Sequence, residues 1–141
     1  MEIKPYLRKT HYYETDQMGV IHHANYVRWL EEARVDFMEQ IGFGYDLSVR
    51  SGIDFAVLGV ALDYRSMVRF GDTVCIEMSI TSLTSARMTI RYRITDAKSG
   101  VLRTEGESRH CYFDASRQRP VSLKKALPEL YGLLESLCGP A

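Results

Sequence analysis

Residues 25–41 read Asn25-Tyr26-Val27-Arg28-Trp29-Leu30-Glu31-Glu32-Ala33-Arg34-Val35-Asp36-Phe37-Met38-Glu39-Gln40-Ile41, with Tyr26, Leu30, Ala33, Phe37 and Ile41 at steps of three and four. That is the spacing of one face of an α-helix. A face of Tyr, Leu, Ala and Phe, flanked by Val27 and Trp29, predicts a helix packed deep against something flat. Asn25 reads as its N-cap and Gly42 or Gly44 as its far end.

After a glycine-rich loop over 43–54, with room for one short helical turn, the period changes to two. Ala56, Leu58, Val60, Leu62 and Tyr64 read as one face of a strand, with Gly59, Ala61 and Asp63 on the other. Phe70-Gly71-Asp72 reads as a turn. Val74, Ile76, Met78 and Ile80 then alternate with polar residues, as do Met88, Ile90, Tyr92 and Ile94. One-sided alternation marks antiparallel strands with one wet face. The loops 83–86 and 96–100 are short enough to close hairpins. A last strand, 101–113, carries Leu102, Thr104, Gly106, Ser108 and His110 on one face; small residues in mid-strand permit a close approach, for which the 25–41 helix is the candidate. Residues 6–15 read as a first strand, and Pro128 opens a final helix with the stripe Leu130, Leu134, Leu137. Strand, long apolar helix, four antiparallel strands and a short helix define an α+β chain: one sheet wrapped around a central helix. Such a sheet leaves a long edge open for a partner chain.

The chain of 141 residues suits one domain over 1–141, and its 18 basic and 18 acidic residues leave no formal net charge. That balance argues against nucleic acid or an anionic membrane as partner. No apolar run reaches the length of a transmembrane span, and the N-terminus lacks signal-peptide regions. Cys75, Cys111 and Cys138 match neither a disulfide framework nor a zinc ligand set, and read as reduced thiols of a cytoplasmic protein. Adjacent His22 and His23 without a third ligand do not make a metal site.

Just before the helix, Asp16 stands on a turn with Gly19, followed by Val20-Ile21-His22-His23. A carboxylate facing a helix N-terminus can attack a carbonyl or direct water at it while backbone N–H groups polarise the oxygen. Taken alone, Asp16 suits an Asx-turn former as well as a catalyst, and His23 suits a residue at the helix start.

Asp16-Gln17-Met18-Gly19-Val20-Ile21-His22-His23-Ala24-Asn25-Tyr26, followed by Glu31 or Glu32 and Arg34, resembles the D-x-x-G-[VI]-[VI]-x-[HY]-x-[NS]-Y signature of the hotdog-fold acyl-CoA thioesterases, of the 4-hydroxybenzoyl-CoA thioesterase/YbgC type. Tyr64-Arg65-Ser66-Met67-Val68-Arg69-Phe70-Gly71-Asp72 matches the strand-turn ending in F-G-D of the same proteins. The resemblance spans about residues 6–125. It implies a hotdog fold, with an antiparallel sheet around a long central helix, paired as a homodimer or as a dimer of dimers. It also implies that Asp16 is the catalytic carboxylate, as nucleophile or as general base, and that the backbone N–H at His23 polarises the thioester carbonyl. The His23 side chain is a second, weaker catalytic candidate.

Gly19, His22, Ala24 and Tyr26 of the motif, with Glu31, Ala56 and Leu58, are expected to contact substrate. In the aromatic-acyl branch an acidic residue near Glu31 contacts a ring hydroxyl together with a Thr near Ala56. Ala56 cannot donate, so an aliphatic short- to medium-chain acyl group is expected. Arg65, Arg69 and Arg87 are the candidates for CoA phosphates, while the mostly neutral loop 83–87 leaves acyl carrier protein open as acyl donor. No cofactor is implied. The expected activity is acyl-CoA hydrolysis; the alternatives are an acyl-carrier-protein thioesterase and a non-catalytic acyl-CoA-binding hotdog protein. A dehydratase or hydratase of the same fold is disfavoured, because His22-His23-Ala24-Asn25 lacks the proline of an H-F-P motif.

Overall fold

A computed structural model describes residues 1–139. Five antiparallel strands form the main sheet in the order β1-β3-β4-β5-β2: β1 (Tyr6–Lys9), β2 (Ile53–Tyr64), β3 (Thr73–Leu83), β4 (Arg87–Asp96) and β5 (Leu102–Asp114). A two-residue β6 (Arg119–Pro120) pairs with the end of β5. The helix α1 (Ala24–Gln40) buries its predicted face against the sheet; Tyr26, Leu30, Ala33, Phe37 and Ile41 are all buried, and Trp29 is sealed completely. Short α2 (Tyr45–Ser51), α3 (Leu123–Ala126) and α4 (Pro128–Leu137) complete the chain, with Leu123 and Leu134 in the core.

Asn25 is not the N-cap. The helix starts from His23, and Asn25 lies inside its first turn, where its side-chain amide donates to the Glu14 carbonyl at 2.8 Å. At the other end Gly42 takes φ +84°, with its N–H bonded to the Glu39 carbonyl and the Phe43 N–H to the Met38 carbonyl. These two bonds form a Schellman motif, which needs a left-handed residue and so favours glycine. The segment read as loop over 43–54 contains the seven-residue α2 and the first residues of β2.

The first strand is shorter than the sequence suggested. It stops at Lys9 because the Glu14 carboxylate accepts the His11 N–H at 2.7 Å, curling Tyr12–Glu14 into a 3-10 turn.

The β2 alternation is also broken. Val57 pairs with His110 and Gly59 with Arg109, so Leu58 is the extra residue of a β-bulge. The bulge changes the phase: Phe55 and Val57 fall on the inner face with Val60, Leu62 and Tyr64, whereas Ala56 lies opposite Cys111 on the outer face. Gly106 is indeed a point of close approach, but the approaching element is β2: a Cβ there would strike the Ala61 carbonyl. As the last strand in the order, β2 is the long open edge, and Val57, Leu58 and Val60 on it are substantially exposed.

Candidate active site

The chain between β1 and α1 is a small hairpin clamped at both ends. Thr15 bridges Ile21, the Asp16 N–H donates to the Val20 carbonyl at 2.8 Å, and the Gly19 N–H donates to the Asp16 carbonyl at 3.0 Å. With Gly19 at φ +77°, this is a three-residue loop closed by a left-handed glycine, which a side chain would strain. The hairpin is fastened to the sheet by the Val20–Arg69 bridge and by the Ile21 N–H on the Val68 carbonyl.

Asp16 sits half-buried in this loop. Its Oδ1 accepts the Met18 N–H at 2.8 Å and the Val20 N–H at 3.4 Å, while Oδ2 has no hydrogen-bond partner among the described residues. The side chain is therefore an Asx-turn former and still presents one carboxylate oxygen. Two backbone donors on Oδ1 fix its direction, and the unoccupied oxygen is the one available to chemistry.

The helix N-terminus is equally particular. The His22 N–H donates to the Glu14 carbonyl, the Ala24 N–H to Nδ1 of His22 at 3.1 Å, the Asn25 N–H to the His22 carbonyl, and the Tyr26 N–H to the His23 carbonyl. Among the described residues, the His23 N–H makes no hydrogen bond. A free N–H at the positive end of a helix is a donor for a developing oxyanion. His22 thus caps the helix through a ring nitrogen that must be unprotonated to accept. The exposed His22 and His23 rings stack with centroids 4.2 Å apart.

The other sequence-derived candidates divide. Tyr26 is buried against Trp29 and Tyr64, and that burial raises its phenol above the ordinary value. Its place is the core beneath the site. Glu31 is exposed on the helix, while the neighbouring Glu32 is tied to Arg8 at 2.7 Å. Leu58 is the exposed bulge residue of the β2 edge, and Ala56 faces away from the helix.

Arg69 stands beside the Asp16 hairpin. Arg65 is paired with Glu105 at 3.2 Å and Asp63 at 3.8 Å. Arg87 opens β4 at the far end of the β3–β4 hairpin, separated from the Arg69 end by the eleven residues of β3, roughly 30 Å of strand. Within this chain the three arginines do not converge on one point.

Tyr64 reaches the site instead: its hydroxyl donates to the His23 carbonyl at 3.2 Å. From there Val60 and Val57 continue along the inner face of β2, and each is exposed, as is Val27 on the first turn of α1. An apolar strip thus leads away from the helix N-terminus towards the open edge. A separate apolar cavity of about 160 Å³ lies under the second half of α1, walled by Val35, Phe37, Met38, Phe55 and Met88 with Arg34 at its margin.

Glu14 is the residue that strand periodicity concealed. It is 2% exposed, and its carboxylate accepts from Arg8 at 3.0 Å and from Nε1 of Trp29 at 2.8 Å, besides the His11 N–H. Arg8 is shared with Glu32, which also accepts the Tyr6 hydroxyl. Burial and the Glu32 contact push Tyr6 up to about 12. Burial lowers Arg8, but the Glu32 and Glu14 carboxylates outweigh it and hold the guanidinium above its ordinary value. The His11-x-x-Glu14 spacing, a capping-box interval, was the signal available in the sequence.

The curled antiparallel sheet around one long helix is a hotdog fold, and the carboxylate loop and the helix N-terminus lie side by side in sequence on it. Residues 10–130 match the family model of the thioesterase-like superfamily, and the chain belongs to that family. It is 27% identical over 119 residues to the acyl-CoA thioester hydrolase YbgC of Escherichia coli O6:H1, covering 84% of this chain and 88% of YbgC. Among solved structures, it resembles the hypothetical protein TT1821 of Thermus thermophilus with a TM-score of 0.87 and 35% identity, over 96% of this chain and 99% of that one. It resembles the DHNA-CoA thioesterase of Staphylococcus aureus with a TM-score of 0.87 and 27% identity, over 95% and 91% of the two chains.

Proposed function

We propose that this protein hydrolyses acyl-CoA thioesters, with Asp16 acting through its free Oδ2 and the His23 N–H receiving the carbonyl oxygen. The observation that carries this reading is that, among the described residues, one Asp16 carboxylate oxygen in the clamped loop and the His23 N–H at the helix start seven residues on are both left without a hydrogen-bond partner. Asp16 either attacks the thioester carbonyl, giving a mixed anhydride that water then cleaves, or removes a proton from an attacking water. In both routes the C–S bond breaks and CoA leaves as a thiolate. A preorganised donor such as the His23 N–H typically contributes about 2.7–4 kcal/mol to such a transition state. The acyl group follows the strip Tyr64, Val60, Val57, whose exposed apolar surface suits an aliphatic tail. Arg69, beside the hairpin, is the best-placed of the three arginines to meet phosphates.

The open β2 edge, with exposed Val57, Leu58 and Val60, supports a homodimer joined along that strand, in which the partner closes the acyl strip. Sedimentation of the pure protein at micromolar concentration checks this, and a stable active monomer contradicts it. Among the described residues no helix is long and apolar enough to cross a membrane. Free Cys75, Cys111 and Cys138 suit a reducing compartment.

The test of the function is a hydrolysis screen over acyl-CoAs of graded length, one hydroxyaromatic acyl-CoA and an acyl carrier protein thioester, with released thiol as the readout. Turnover is expected with acyl-CoA, greatest for aliphatic groups. Saturable binding of acyl-CoA with no thiol release from any substrate would make this a binding protein and refute the proposal.

A further inference from the structure

We infer that Glu14 is a positioning residue for the reaction: it sets the distance and angle between the Asp16 carboxylate and the His23 N–H. The inference rests on the proposed roles of those two groups. Its grounds are the hydrogen bonds that converge on this one residue. Through its side chain Glu14 holds β1 (Arg8 at 3.0 and 3.2 Å), the start of the 3-10 turn (His11 N–H at 2.7 Å) and the buried face of α1 (Trp29 Nε1 at 2.8 Å). Through its carbonyl it holds the His22 N–H and the Asn25 amide, each at 2.8 Å. Asp16 is two residues downstream of these anchors, and His23 lies between the two residues that the carbonyl grips. Both halves of the site therefore hang from Glu14, although neither touches its carboxylate.

The anchoring is stiff. Glu14 and Trp29 are buried, Arg8 packs its guanidinium 5.8 Å from the Trp29 ring centroid, and Glu32 pins the far side of Arg8. Such a carboxylate cannot shift without leaving an N–H or a guanidinium unsatisfied in the interior. A loop held this way keeps the nucleophile or base and the oxyanion donor in one geometry before substrate arrives. A displacement of about 1 Å in such a pair can cost roughly 100-fold in rate.

The consequence falls on kcat. Glu14 meets no substrate, so loosening it leaves ground-state binding in place and weakens only contacts formed in the transition state. Two variants test this in the full chain, Glu14→Gln and Trp29→Phe. The second leaves the Glu14 carboxylate charged and removes the indole N–H together with part of the buried ring, so a folded Trp29→Phe protein decides the matter if Glu14→Gln does not fold.

With a good acyl-CoA substrate, well below the melting temperature and with unchanged circular dichroism, kcat should fall roughly 10- to 100-fold while KM stays within about threefold. Glu14→Gln added to Asp16→Asn should slow hydrolysis by less than it does in the wild type, because only the His23 N–H is then left to misplace. Folded variants with kcat within about twofold of wild type, or a loss carried by KM, would overturn the inference. Asp16→Asn run in parallel separates the two claims. If it is inactive while folded Glu14 and Trp29 variants turn over normally, the positioning role alone falls; if it is fully active, the reading beneath it falls as well.

Discussion

Two polar clusters are buried between α1 and the sheet, and they are built on opposite terms. Around Glu14 a carboxylate, a guanidinium, an indole N–H and backbone N–H groups meet with opposite charges adjacent. Across the sheet floor, Arg34 donates to the Tyr92 hydroxyl at 3.0 Å, Tyr92 meets Ser108 at 2.6 Å, and Ser108 meets Nε2 of His110 at 2.7 Å. That second chain ends in a fully buried Nδ1 without a hydrogen-bond partner, and it contains a cation with no carboxylate to balance it among the described residues. The first cluster favours charge and fixes a loop. The second tolerates only a neutral histidine: burial, then the Arg34 charge, lower His110 from 6.5 to about 4, against some opposition from the Phe55 and Ala56 backbones. The difference teaches that buried polarity here is partitioned, with carboxylate-balanced charge beside the proposed reacting groups and an unbalanced cation with a neutral histidine opposite Val57 and Val60 of the apolar strip.

The comparison is broken most forcefully at Arg8. Arg8→Met strands the buried Glu14 carboxylate without its counter-charge. A loss of about 3–5 kcal/mol is expected, read as a lowered urea midpoint. A change under about 1 kcal/mol would mean that the Glu14 cluster does not depend on its charge pair.

The His110 cluster is probed by acid. Between pH 6.5 and about 4, an unfolded chain takes up a proton that folded His110 refuses, so stability falls as pH is lowered through this window. The full difference is about 3 kcal/mol and is absent at neutral pH and above. Urea titrations at successive pH values should show this slope in the wild type and a flatter one in His110→Leu, which has no group to protonate. Identical slopes in the two proteins would remove His110 as the cause.

Much of this was legible in the residues. The α1 face could be read because five apolar positions keep helical spacing over four turns, and the Asp16 turn because an Asp three residues before a Gly is a turn signal; that the turn closes a small hairpin was not visible. The phase of β2 was hidden, since Val57 and Leu58 are both apolar and a bulge between such neighbours leaves alternation looking intact. That misplacement put Ala56 on the inner face and with it the argument about ring hydroxyls; the exposed strip of Val57, Val60 and Tyr64 now supports the aliphatic expectation instead. Glu14 was hidden for a different reason. A charged residue in an apparent strand reads as solvated, and only the three-dimensional meeting of Arg8, His11 and Trp29 shows it to be interior. Trp29 looked like a flank of the helix face for the same reason, because its burial depends on the partner its N–H finds.

The central claim is that one oxygen of Asp16 performs the chemistry while the other holds the loop. Asp16→Asn retains an amide oxygen able to accept the Met18 N–H but has no carboxylate to act as nucleophile or base. The decisive measurement is the rate of thiol release from the best acyl-CoA substrate by this variant and by wild type, at equal folded concentration and equal oligomeric state. The predicted result is a loss of roughly 10²–10⁴-fold with an unchanged melting temperature. Turnover within a few-fold of wild type would contradict the account.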